Sequence, residues 1–382
     1  MNMSPKVRPL WQRLLLMFGT SMLWAYKSLH LPRFILPRDF KSVVNNWTHE
    51  MFWTLIKSRF TEASIDQTCY FKMPTSFKPR VQLAPEHKQY QLSEQDIKLF
   101  YTQGFLGPFD AFTHDDMMDF KREVLALEKE KSKTYGWATP RDRHFESPRL
   151  WNYMRHPAIT ERCAQILGED LLVWRSQYFY KGPRAPAIQW HQASTFMVED
   201  YQDPGIFPPD RSEIFQLTVW VAIDDATPER GCMQFARGTH DRIRKIRFGG
   251  SEGFYNAAYT LDFDEAKEDC VVLPVKAGQF IIFTERCIHG SPPNRTDHHR
   301  LAFNIRVIPA HVPAYTNKKY YRSVYNGGKY YLDKWGTCLL RGEDKHRLSR
   351  AIPPADLQTG EFTRVIPPGE PLPMPQRKKA AA

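Results

Sequence analysis

Near the amino end, apolar residues recur with helical spacing in two stretches, around Leu14–Tyr26 and Trp47–Phe60, divided by the proline-containing segment Leu31–Arg38. They predict a helical extension over residues 1–90, a cap or docking region. Ser93 is placed as an N-cap ahead of Ile97, Phe100 and Tyr101 and opens the next unit near residue 91. A charged helix follows from about Asp115 to Lys131, and another from about Ala158 to Leu167, closed by Gly168. Beyond Gly168 the pattern changes. Leu171–Tyr180, Ala187–Ser194, Glu213–Ile223, Met233–Ala236, Val271–Val275, Gln279–Phe283 and Leu301–Ile308 are rich in β-branched and aromatic residues and are separated by Gly, Pro and Asp turns. Helices followed by many strands argue for an α+β protein whose unit from 91 to 350 is a double-sheet jelly roll. The tail from Ala351 has seven prolines in 32 residues, which predicts an extended, partly disordered segment.

With 42% apolar and 14% aromatic residues, the 382-residue chain can bury a sizeable core and is not a low-complexity protein. Its six cysteines include no close pair, so neither a disulfide framework nor a zinc ribbon is indicated, and reduced thiols in a cytoplasm are the expectation. The net charge of +11 is uneven: residues 1–90 hold thirteen Lys or Arg against five Asp or Glu. A basic extension of this kind suits an acidic protein or an anionic lipid surface, and no nucleic-acid motif accompanies it. The uncharged run between Arg13 and Lys27 has thirteen residues, where about 20 are needed to span a bilayer. Trp11 and Trp24 with the flanking cations fit either an interfacial helix or one packed on the catalytic unit. Peripheral membrane contact through residues 1–60 therefore stays open.

The candidate chemistry lies at two strand ends. Trp190-His191-Gln192-Ala193-Ser194 closes one predicted strand, and Cys287-Ile288-His289-Gly290-Ser291-Pro292 closes another nearly a hundred residues later. Two histidines on adjacent jelly-roll strands can share one metal; imidazole suits iron, zinc, copper or nickel, and a facial site with open positions is the mark of non-haem Fe(II) oxygen chemistry. Arg300 through Arg306 alternates so that both arginines share a strand face. A buried guanidinium needs a partner, and a dicarboxylate offers a bidentate one.

Further segments then form a pattern: Trp174-Arg175-Ser176-Gln177-Tyr178-Phe179, Thr218-Val219-Trp220, Gly231-Cys232-Met233-Gln234-Phe235 and Lys276-Ala277-Gly278-Gln279-Phe280-Ile281-Ile282-Phe283, with the two histidine segments, in this order. From about Gly104 to Ala314 the chain resembles the phytanoyl-CoA dioxygenase superfamily, and within it the aliphatic chlorinating enzymes of the syringomycin-halogenase type. The resemblance implies a double-stranded β-helix (jelly-roll, cupin-like) core, Fe(II), 2-oxoglutarate, O₂ and a chloride or bromide, with radical halogenation of an unactivated sp³ carbon as the reaction. It makes His191 and His289 the metal ligands and Arg300 the anchor of the distal carboxylate of 2-oxoglutarate, with Trp220, Gln192 and Phe179 also at the cofactor. Ala193 stands where hydroxylases of the superfamily place a carboxylate ligand, leaving a coordination position for halide. Ala193 and Phe196 match the halide pocket wall, and Thr218 and Arg306 match polar positions around it.

This chain departs from the chlorinating pattern at Ile188, Gln177, Val198 and Glu285, the last standing four residues before His289, where a side chain turned inward would restore a carboxylate. Hydroxylation, desaturation or cyclisation on the same fold is the main alternative. A non-catalytic binding module and a zinc hydrolase using Cys287 with the two histidines complete the set. The resemblance further implies an acyl or aminoacyl substrate, free or tethered to a small acyl carrier protein whose acidity the basic extension would complement.

Overall fold

In the computed structural model the described residues are 9–37, 40, 44, 49–57, 63–65, 69–193, 205–248, 260–315, 318–322, 329–361 and 364–372. Seven α-helices are used here: α1 (Leu10–Ser28), α2 (His49–Lys57), α3 (Glu94–Gln103), α4 (His114–Leu127), α5 (Pro148–Met154), α6 (Pro157–Leu167) and α7 (Pro354–Thr359). The strands are β1 (Ala63–Ile65), β2 (Phe105–Asp110), β3 (Leu171–Lys181), β4 (Ile188–His191), β5 (Leu217–Ala222), β6 (Met233–Ala236), β7 (Ile246–Phe248), β8 (Thr260–Leu261), β9 (Cys270–Leu273), β10 (Gln279–Thr284), β11 (His289–Ser291), β12 (Arg300–Pro309), β13 (Tyr320–Arg322), β14 (Lys329–Tyr331) and β15 (Cys338–Arg341).

Local chemistry fixes the helix starts. Ser93 accepts from the Asp96 N–H at the head of α3 while Asp96 reaches back to the Ser93 N–H, a capping box repeated by Thr113 and Asp116 on α4. Gly168, at φ +107, lets the chain leave α6 for β3.

While β1-β7-β8 and β13-β14 form small sheets of their own, the other ten strands build two facing antiparallel sheets. One has the order β15-β3-β12-β5-β10-β2 and the other β4-β11-β6-β9. That arrangement is the double-stranded β-helix, and the core is mixed helix and antiparallel sheet. The strand runs Leu217-Thr218-Val219-Trp220-Val221-Ala222 and Phe280-Ile281-Ile282-Phe283 are almost continuously apolar because both faces of the six-stranded sheet are covered. Val219, Val221, Ile282, Phe303 and Ile305 join α3 to α6 residues such as Phe100, Phe120 and Ile159 in the large outer core. Their neighbours Trp220, Ala222, Ile281, Phe283 and Ala302 face the other way and join Phe235 and Met233 of the smaller sheet inside the barrel.

One expectation needs correction. The described residues from 351 to 361 and from 364 to 366 fold onto the unit: α7 forms there, Ala351 bridges Ile366, and Ile352, Leu357 and Ile366 are buried, because apolar residues between the prolines find space beside α5. Phe71 stacks on Tyr101 at 6.0 Å, and the Arg80 N–H donates to Gln165 O, so the chain from 69 onward lies on the jelly-roll unit.

Beneath β3 a buried imidazole makes the fold sensitive to acid. His144 Nδ1 lies 2.7 Å from Ser176 Oγ and its Nε2 lies 3.5 Å from Cys338 Sγ; burial pushes its pKa down to about 3. The unfolded chain protonates this histidine near pH 6.5. Between those values it binds a proton that the folded chain refuses, so stability is lost as pH falls below about 6.5. From pH 7.5 to 5.5 the loss from this one group is about 1.4 kcal/mol. Urea denaturation at the two pH values should show that loss, and His144→Gln should reduce the difference by about that amount. An unchanged pH dependence in the variant would contradict the assignment.

Candidate active site

The end of β4 and the start of β11 are paired so that His191 and His289 are Cα partners across the ladder. Directly opposed residues put their side chains on one face, and the two imidazole centroids are 4.3 Å apart, inclined at 52°. In each ring Nδ1 lies 2.8 Å from a carbonyl oxygen two residues back, Gln189 for His191 and Cys287 for His289. A carbonyl only accepts, so Nδ1 carries the proton and Nε2 is the lone-pair nitrogen in both rings. This is the outer-shell device that orients metal-ligating histidines. Burial lowers both pKa values, with the Arg306 cation adding to the effect, which keeps both rings in the neutral, ligating form. Against His289 lie Phe283, at 4.7 Å, and Phe235, giving the pair a dry wall.

Close approach of β4 to β11 depends on Gly290. A Cβ there would stand 2.7 Å from Ile188 O, a backbone atom that cannot swing away. Gly290→Ala should push the strands apart and separate the imidazoles. The expected result is a loss of metal affinity of about tenfold or more, by analogy with outer-shell substitutions; unchanged affinity in titration would show that the ladder tolerates the methyl group.

Among the described residues no carboxylate joins the histidines. Ala193, two residues after His191, is buried and has no donor atom, and among the described residues no group of three or more His, Cys, Asp or Glu converges. Glu285 is fully buried, but its Oε1 lies 3.3 Å from Arg286 Nε and its Oε2 accepts from Thr284 Oγ1 at 2.9 Å. Burial pushes this carboxyl up while Arg286 draws it down. In the turn that carries Glu285 its oxygens serve its sequence neighbours. Cys287 is equally unavailable, since its Sγ lies 3.7 Å from both Gln103 O and Ala236 O, and burial raises its pKa far above the usual thiol range.

Across the barrel, on β12, Arg300 packs over the Trp220 ring with its guanidinium carbon 5.1 Å from the ring centre. It is 1% exposed, and its Nε and Nη1 have no hydrogen-bond partner. Burial lowers its pKa to about 10. The nearby Asp224 offsets this only in part and makes no hydrogen bond to the guanidinium, its oxygens being engaged by Lys121 Nζ at 2.6 Å and by the Leu301 N–H. A buried guanidinium with orphaned donors fits a carboxylate that arrives with a ligand. Thr218 Oγ1 and Asn304 Oδ1 are likewise buried without partners. They lie on inward positions of β5 and β12, where Thr218 faces Arg306 and Asn304 faces Trp220 and Gln177.

The remaining sequence candidates divide. Phe179 opposes Ala302 and lies on the same inward face as Gln177. Phe196 and Val198 lie outside the described residues. Gln192 is not at the cofactor site: its Nε2 donates to Arg242 O and Arg286 O, and its Oε1 accepts from the Arg244 N–H. Following His191 on an alternating strand, it points to the opposite face and ties the loop at 242–244 to the turn before His289. Two inward residues were absent from the sequence reading. Asn304 was detectable from the alternation that joined Arg300 to Arg306. Lys181 opposes Arg300 and donates from Nζ to Ser291 Oγ at 2.7 Å; burial, aided by the Arg300 charge, lowers its pKa to about 8. Nothing in its local sequence signals that role.

The profile of the family described as phytanoyl-CoA dioxygenase (PhyH) matches residues 100–302, more than half of the chain, including His191, His289 and Arg300. The chain belongs to the phytanoyl-CoA dioxygenase family. This family member is an oxidoreductase of dioxygenase type. Over 238 residues it is 26% identical to the phytanoyl-CoA dioxygenase domain-containing protein 1 of Mus musculus, covering 59% of this chain and 76% of that one. It is also 26% identical to the dioxygenase lolE1 of Epichloe uncinata over 227 residues, 55% of this chain and 80% of the relative. Among solved structures, CytC3 with Fe(II) and alpha-ketoglutarate superposes with a TM-score of 0.56 at 27% identity, over 72% of the dioxygenase chain and 97% of CytC3.

Proposed function

We propose that this dioxygenase-family chain is an Fe(II)- and 2-oxoglutarate-dependent halogenase acting on an unactivated sp³ carbon. The observation that carries the reading is the pair His191 and His289, with Ala193 where a third protein ligand would stand and Glu285 engaged elsewhere. Fe(II) with 2-oxoglutarate and O₂ supplies the oxidising power for removing a substrate hydrogen. His191 and His289 would hold the metal through Nε2, and Ala193 leaves room for a chloride or bromide beside it. Arg300 would clamp the distal carboxylate of 2-oxoglutarate against Trp220. The apolar wall of Phe235 and Phe283 keeps water from the reacting carbon. Thr218 and Arg306, paired across β5 and β12, would present polar groups toward the halide.

Hydroxylation with water in the third position is the second reading, and the likeness to relatives such as the dioxygenase lolE1 favours it. For the halogenase reading the substrate is an acyl or aminoacyl group, free or on an acidic carrier protein. Ala193→Asp separates the two readings. It should retain Fe(II) and 2-oxoglutarate but lose bromide from the metal, seen as loss of Fe–Br scattering in X-ray absorption. Fe–Br scattering absent from the wild type, or still present in the variant, would contradict halide coordination beside Ala193.

A further inference from the structure

Helix α1 has two faces, and the fold uses only one. On the inner face Leu16, Thr20 and Leu23 are buried, Trp24 meets Trp53 edge-on at 4.9 Å, and Lys27 Nζ donates to Val44 O at 3.0 Å. Phe52 of α2 is fully buried in the same contact region. The opposite face carries Leu10, Trp11, Leu14, Leu15, Phe18 and Met22, each more than half exposed. At about 100° per residue these six fall within a sector of about 140°, a continuous apolar stripe. Past the helix end Leu29 is 69%, Phe34 80% and Ile35 68% exposed as well. Scattered exposed apolar residues are ordinary, whereas a contiguous stripe of this size marks a docking surface.

Charge selects the occupant. The first 38 residues contain six Lys or Arg and no Asp or Glu, and within α1 only Arg13 and Lys27 are charged. The stripe itself has no charge; along the chain the cations precede it and follow it, and Arg13 stands beside it on the helix. A second copy of the chain would bring the same unrelieved cations against this set. Among the described residues no helix is long and apolar enough to cross a membrane. An apolar face of large residues bordered by cations on a non-spanning helix is the pattern of an interfacial helix on anionic lipid. We propose that α1 and the turn through Ile35 lie on an anionic bilayer surface, with Trp11, Leu14, Leu15, Phe18 and Met22 sunk among the acyl chains. The proposal is independent of the metal chemistry.

The full-length protein is tested by co-sedimentation with phosphatidylcholine vesicles prepared with and without phosphatidylglycerol. The expected result is binding to the anionic vesicles about tenfold or more tighter than to neutral ones, weakened by salt. Trp11→Glu with Phe18→Glu should abolish pelleting while leaving the melting temperature and iron content unchanged, since both side chains are exposed; Leu14→Asp gives an independent reading. The proposal is overturned by equal pelleting on both vesicle types or by pelleting that survives the substitutions. It is equally overturned if the protein stays in the supernatant, whether as a dimer that Phe18→Glu dissociates or in a complex with an acidic carrier protein.

Discussion

His289→Ala should lose Fe(II) binding by more than about a hundredfold, beyond the 10- to 100-fold typical of outer-shell changes. The reason is geometric as well as chemical. With only two converging protein donors among the described residues, each imidazole supplies half of the set, and the two nearest described candidates are engaged elsewhere. Glu285 is held by Arg286 and Thr284, and Cys287 faces away toward Ala236. The variant should fold, because the alanine leaves the β6 and β10 walls in place, and circular dichroism can verify this. Anaerobic equilibrium dialysis with Fe(II) measures the effect. Stoichiometric iron in a folded variant would remove His289 from the ligand set, and partial recovery with added imidazole would support its place there.

Arg300→Gln should weaken 2-oxoglutarate binding by about a hundredfold, within the 2–5 kcal/mol range for losing one partner of a buried charged pair. A residue that merely braces β12 would behave differently. The guanidinium is buried, yet its Nε and Nη1 have no partner in the ligand-free fold, so it burdens the apo protein. Replacement by the neutral amide should leave apo stability unchanged or raise it while the affinity for 2-oxoglutarate falls. Calorimetric titration and thermal denaturation read the two effects separately. Unchanged 2-oxoglutarate affinity, or a large loss of apo stability, would contradict the assignment.

Much of this site was legible in the sequence because strands impose a period of two. His191 and His289 stood at the ends of recognisable apolar runs, and alternation alone put Arg300 and Arg306 on one face. The same rule implied that Gln192 faces away from His191, yet the resemblance drew it to the cofactor; three hydrogen bonds to loop backbone atoms settle its place. Burial of Glu285 was not legible, since its partners are its own neighbours and a local sequence does not say whether a turn is sunk in the core. β2 and β15, which flank the six-stranded sheet, escaped notice because each is short and interrupted by glycine or followed by polar residues. The folded stretch after Ala351 was missed for a related reason: prolines dominate its composition, while Ile352, Leu357 and Ile366 provide the buried contacts.

The most direct test is anaerobic addition of Fe(II) and then 2-oxoglutarate to the purified protein, followed by visible absorption with and without chloride or bromide. The account predicts a metal-to-2-oxoglutarate charge-transfer band that forms with both components, requires His191, His289 and Arg300, and shifts on addition of halide. No band in the folded, iron-loaded protein would contradict the site itself. A band indifferent to either halide would contradict halide coordination and leave the oxygenating alternative in its place.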